Sequence, residues 1–242
     1  MSGAIEPRVL TLLAALAFGC GQPGEREVAL QAYAAGRAAE QIRTGEYIIT
    51  LTAARVGLGP FYFCATEAAS SDLCPIARAE LLAPVTVDAL DPTPQPLSAG
   101  RALTGAIRSA AFDFARTWLD TDHAPTPTAP APGGHSARFE ATVATATARF
   151  RVVVDLDVDP QLRGGHAVQG ARTSVDVGLA GVRLDVALDP IAWWSQVDPA
   201  ELAEAAAAGA DPVVVKRGSR AWNALVLAMT AQLPPRLEWR VP

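Results

Sequence analysis

Three histidines carry the most versatile ligating groups in the chain: His123, His135 and His166. Each stands beside glycine or proline, in HAP, GGHS and GGHA, which places it in a loop. Loops commonly display binding groups, and neutral imidazole is a ligand for copper or zinc. No two of them have strand (i, i+2) or helix (i, i+4) spacing, so a metal site would require the fold to bring them together. Asp155, Asp157 and Asp159 form D-x-D-x-D, the opening of a calcium loop. Such a loop continues with glycine at 160 and glutamate at 166, where this chain has Pro160 and His166. The alternate spacing instead predicts three carboxylates on the solvated face of a strand.

Nucleophilic and phosphate-handling motifs are missing. There is no G-x-S-x-G, no glycine-rich phosphate loop and no H-E-x-x-H, and His135-Ser136 are neighbours with no third partner indicated. Neither a cofactor nor an enzymatic activity is expected. Trp193-Trp194, in DPIAWWSQVDP, would form a platform for a sugar or a protein partner if exposed. The large area of an indole favours a structural role instead, one ring plugging the end of a core and its neighbour covering an edge.

Composition sets the frame for these groups. Half of the 242 residues are apolar and 19% are charged, enough to bury a sizeable core. The net charge is −5 and Lys216 is the sole lysine, a balance that does not favour a nucleic-acid partner.

The N-terminus carries an address. Arg8 precedes an uncharged run, Val9 to Phe18, too short to span a bilayer and matching the apolar region of a secretory signal. Ala17-Phe18-Gly19-Cys20 resembles the end of a bacterial lipoprotein signal, although Ala17 stands where leucine is usual. That resemblance implies a signal peptide over 1–19, a lipid on Cys20 and attachment to a membrane. Gly21 after the cysteine implies the outer membrane, facing the periplasm or the exterior. Ordinary cleavage after Ala17, or an apolar helix retained in the fold, are the alternatives. With Cys20 lipidated, Cys64 and Cys74 remain as a C-x9-C pair without a nearby histidine or third cysteine for a metal. In an oxidising compartment they are expected to form a disulfide contributing about 2–3 kcal/mol.

The elements that must position these groups read as strands. Residues 20–44 form a tether and an N-terminal segment, with 25–43 open between helix and strand. A β-sandwich domain follows over 45–242. Tyr47, Ile49, Leu51 and Ala53 alternate from Glu46 onward, Phe61–Cys64 is a short strand, and Val85–Leu90 another. Ala106–Trp118 reads as a strand with Ala110, Phe112 and Phe114 on one face, and 121–134 is a proline-rich loop. Phe139, Ala141 and Val143, then Phe150, Val152, Val154, Leu156 and Val158, predict an antiparallel hairpin. The inward phase flips at Ala180-Gly181, marking a turn or a bulge. Asp198-Pro199-Ala200-Glu201 starts a helix that Gly209 closes, and Ser219 caps a second. The fold class expected is mainly β, an antiparallel β-sandwich with one or two short helices near the C-terminus.

The stretches LTAARVGLGPFYFCA (51–65), GHSARFEATV (134–143), DPIAWWSQVDPAEL (189–202) and GSRAWNALVLAM (218–229) resemble myxobacterial-type lipoproteins of unknown function. The order of strand, GH-led strand, DP-W segment and late helix is also similar to MbnP-like periplasmic copper-binding β-sandwich proteins. The first resemblance implies a lipid-anchored envelope protein with a non-catalytic binding or structural role. The second implies a periplasmic copper-binding protein as the alternative, with His135 the one residue that corresponds.

Overall fold

The computed structural model describes residues 24–67, 77–118, 121 and 123–241. The expected signal peptide, Cys20 and Cys74 lie outside these residues. The strands are β1 (Glu27–Ala35), β2 (Gln41–Thr44), β3 (Tyr47–Leu58), β4 (Phe61–Cys64), β5 (Ala79–Leu81), β6 (Val85–Asp88), β7 (Gln95–Pro96), β8 (Gly100–Leu103) and β9 (Gly105–Phe112). After the short strands β10 (Arg116–Thr117) and β11 (Thr126–Pro127) come β12 (Ala137–Ala144), β13 (Arg149–Leu156), β14 (Val168–Val177), β15 (Val182–Ala187), β16 (Val213–Val214) and β17 (Arg236–Arg240). Three helices, α1 (Pro190–Trp194), α2 (Pro199–Ala207) and α3 (Arg220–Leu227), all fall in the last quarter of the chain.

Two sheets pack as a β-sandwich. One runs β14-β9-β4-β5-β8-β1-β15-β17, with β7 added to β1; the other runs β16-β13-β12-β3-β2, with β6 added to β3. Most neighbours are antiparallel, but β1 pairs β15 and β13 pairs β16 in parallel. The folded part therefore starts ahead of residue 45: residues 27–44 include β1 and β2, and β1 lies inside the larger sheet between β8 and β15. The edge strands of that sheet also approach each other, where Trp239 Nε1–H donates to Thr173 Oγ1 at 2.6 Å. The larger sheet is thereby rolled nearly to closure.

Alternation places the core. Ala137, Phe139, Ala141 and Val143 of β12 and Phe150, Val152, Val154 and Leu156 of β13 are buried, and the residues between them are polar or charged except for Val153. In β3 the inward set begins as Ile49 and Leu51 but continues as Ala54 and Val56, not Ala53. The cause is a bulge, because Ala141 pairs Leu51 while Glu140 pairs Ala53. The phase change after β14 is a turn closed by an isolated bridge between Gly178 and Gly181.

Trp193 and Trp194 are both fully buried, each edge-on to Phe139. The chain crosses between the sheets from β3 to β4 through Gly59-Pro60, a cis peptide. There it runs beside the segment after β9: Gly59 N–H donates to Asp113 O, Asp113 N–H to Pro60 O, and Ala115 N–H to Gly59 O, at 2.9–3.1 Å. Gly57 allows this approach, since a Cβ there would stand 2.5 Å from the Ala115 Cβ.

Candidate functional site

Asp113 follows β9 between two fully buried phenylalanines, Phe112 and Phe114, and its own side chain is 2% exposed. A carboxylate removed from water must be hydrogen-bonded. Here Oδ1 accepts the Ala167 N–H at 2.7 Å and Oδ2 lies 3.1 Å from His166 Nδ1. Both donors come from the loop that leads into β14, so one buried acid holds that loop against the crossing. Tyr62 completes the group. Its neighbours Phe61 and Phe63 face the core, so Tyr62 points to the other side of β4, with its ring centroid 4.8 Å from that of His166.

These three side chains line a cleft of about 240 Å³, together with Pro60, Leu82, Pro84, Thr117, Trp118, Thr128, Gly164 and Gly165. Burial raises the Asp113 carboxyl above the usual carboxylate range, against the hydrogen bond and charge of His166 and the Ala167 N–H, which pull it down. Burial likewise raises the Tyr62 phenol, with the charges of Asp113 and Glu80 adding to the effect. The hydroxyl of Tyr62 thus stays protonated beyond its ordinary range. Among the described residues that line the cleft there is no arginine or lysine. The arrangement fixes an imidazole by a carboxylate on one nitrogen and leaves the other for a ligand.

His135 belongs to a different cluster. Its Nδ1 lies 2.9 Å from Asp157 Oδ1. Arg116 reaches Asp159 at 2.6 Å and Asp157 at 3.5 Å, and Arg217 reaches the same two acids at 3.1 and 3.6 Å. Arg116 also donates to the Gly134 carbonyl, which ties the proline-rich loop to the end of β13. This corrects the expectation of three carboxylates on a solvated face. Asp155 does pair on the surface with Arg138, but Asp157 and Asp159 lie past the end of β13 and are only 17% and 15% exposed. Two arginines balance them, so the cluster is a structural clasp.

His123 is exposed in the proline-rich loop. The three histidines therefore do not share a site. Among the described residues, no group of three or more His, Cys, Asp or Glu side chains is placed to hold a metal ion. Cys64 is buried at the end of β4. A groove of about 610 Å³ opens between α1 and β17, where alanine, leucine and proline side chains stand beside Arg172, Asp189, Gln232, Arg236 and Glu238. Asp113 and Tyr62 were not singled out by motif reading. The signal available was F-D-F, an acid between two inward phenylalanines at the end of an apolar strand.

No family model matches the sequence, and no curated protein matches it. Among solved structures the chain is similar to MbnP from Methylosinus trichosporium, at 12% identity and a TM-score of 0.35, over 85% of this chain and 88% of that one. A likeness of this degree carries no argument about function.

Proposed function

We propose that the protein is an exported, lipid-anchored component of the cell envelope with a non-catalytic binding role, and that its binding site is the Tyr62–Asp113–His166 cleft. The single observation that carries the binding role is the buried Asp113 carboxylate fixing His166 at the wall of a small cleft. A buried carboxylate costs stability unless a partner or a function retains it. The non-catalytic reading is supported by the described lining residues, which include no serine, cysteine or lysine, and by the Thr128 hydroxyl, which donates to the Ala115 carbonyl instead of to the imidazole.

The anchor rests on residues 1–20 and the lipoprotein-like sequence around Cys20. Acyl chains contribute about 0.8 kcal/mol per buried CH₂, so several chains on one cysteine would hold the sandwich at a membrane. The same compartment permits a Cys64–Cys74 disulfide. Two measurements test the proposal. Cys20→Ala should abolish palmitate labelling and release the protein from the membrane fraction; retained label and membrane association would overturn the anchor. Native mass spectrometry of the protein purified from envelopes should show a small adduct that His166→Ala lacks, and an adduct unchanged in that variant would overturn the cleft.

A further inference from the structure

We infer that an extended peptide segment of a partner protein docks in the open seam of the larger sheet. It would lie as a strand antiparallel to both β14 and β17, with an acidic residue on its outward face. This surface is separate from the His166 cleft. Three observations support the inference. The first is unpaired backbone. β14 and β17 end the path of the sheet, β14 pairing with β9 and β17 with β15. On their other sides, neither strand has a backbone partner among the described residues. A free edge of this kind is a template for an added strand.

The second is direction. From β14 round to β17, every pairing is antiparallel except that of β1 with β15. Six reversals leave β14 and β17 running the same way. They do not pair with each other; the link across the seam is the side-chain bond from Trp239 to Thr173. A segment running the opposite way would meet both edges in the antiparallel sense, the more stable ladder per residue.

The third is room and charge. The groove of about 610 Å³ is lined from both lips, by Ala171 and Arg172 of β14 and by Arg236, Leu237 and Glu238 of β17. That volume is within the ordinary range for a ligand site. Leu233, 37% exposed, adds apolar surface at its end. Asp189, also in the lining, is taken by Arg37 at 3.0 Å. Arg172, Arg236 and Glu238 are exposed and have no ion-pair partner among the described residues, which leaves one positive charge in excess. An acid facing outward between the two arginines would balance it, as opposite charges on neighbouring strands do.

The test uses three capped pentapeptides on the full chain in detergent micelles at low ionic strength. They are Thr-Val-Glu-Val-Thr, the same sequence with lysine for glutamate, and the glutamate peptide with both valines N-methylated. Binding is followed by NMR through the backbone N–H groups of Ala171, Arg172, Leu237 and Trp239. The glutamate peptide should shift these resonances and slow their hydrogen exchange. The lysine peptide should bind at least fivefold more weakly, and the N-methylated one should not bind. Arg172→Glu and Arg236→Glu, both at exposed positions, should each remove the preference for glutamate. Equal binding of the lysine peptide would overturn the acidic assignment, and binding of the N-methylated peptide would overturn strand addition. Sedimentation that shows a dimer with these N–H groups already protected would give the seam to a second copy and overturn the proposal. Silence from the glutamate peptide at millimolar concentration would also overturn it.

Discussion

Glu201 Oε2 accepts the backbone N–H of Ala221 at 2.9 Å, and Oε1 that of Arg220 at 3.2 Å, so an acid in the first turn of α2 caps the start of α3. Local sequence suggests a different role, in which Glu201 would bond back to the start of its own helix. The N-cap Asp198 instead bonds the Ala200 N–H alone. Ser219 serves the Trp222 N–H, so three of the free N–H groups of α3 are satisfied by two residues from different helices.

Glu201→Ala should therefore destabilise the domain by about 1–2 kcal/mol, the usual loss for an N-terminal cap. Ser219→Ala should cost about 1 kcal/mol by the same measure. Urea unfolding of both single variants and the double variant gives their coupling. Additive losses would show that the two caps act independently, and a coupling near zero with no loss from Glu201→Ala would refute the cross-helix cap.

Asp113 makes stability depend on pH in the direction opposite to a paired surface acid. Its folded pKa is raised, chiefly by burial. The folded chain then holds that proton more tightly than the unfolded chain does. Stability from this group is greatest below the ordinary carboxylate range and falls as pH rises through the folded value. Asp113→Asn keeps an acceptor for the Ala167 N–H and never ionises. Between about pH 4 and pH 7, the unfolding free energy of the variant should rise relative to the wild type. A relative gain by the wild type over the same interval would mean that attraction to His166 outweighs desolvation.

Arg116 and Arg217 bond the same two acids from unequal positions. The Arg116 side chain is 12% exposed and that of Arg217 is 65% exposed. Arg116→Ala would leave Asp157 and Asp159 poorly solvated and short of a partner, at a cost of about 2–4 kcal/mol. Arg217→Ala, mostly in water, should cost under about 1 kcal/mol. Guanidinium melts would conceal the difference by screening; urea at low ionic strength reveals it.

The fold was legible where one face of a strand is buried and the other is wet. β12 and β13 alternate over their whole length, and each inward residue named from spacing is buried. Residues 27–35 were not legible, because four of the nine residues of β1 are alanine and the strand sits inside a sheet, where helix propensity is overridden by pairing on both sides. The bulge at residue 52 was hidden for a similar reason: alanines at 53 and 54 fit either face. For the site, His166 was legible as a loop histidine, but its partner Asp113 stands 53 positions away. Such a pairing is set by the crossing at Gly59-Pro60 and by no local motif.

Trp193 and Trp194 provide the last test, since neighbouring indoles with equal burial differ in one hydrogen bond. Both are fully buried and both meet Phe139 edge-on. Trp193 Nε1–H donates to the Leu233 carbonyl at 2.7 Å, which fastens α1 to the segment before β17. Trp194 Nε1 has no partner among the described residues. Replacing either ring by phenylalanine removes similar volume and leaves a similar cavity. At Trp193 the change also breaks a bond, whereas at Trp194 it removes a buried donor that already costs about 1–3 kcal/mol. Trp194→Phe should therefore be milder than Trp193→Phe by about 1–2 kcal/mol in urea unfolding. If Trp194→Phe proves the more damaging of the two, its indole N–H is satisfied by an internal water and the core is wetter there than its apolar lining suggests.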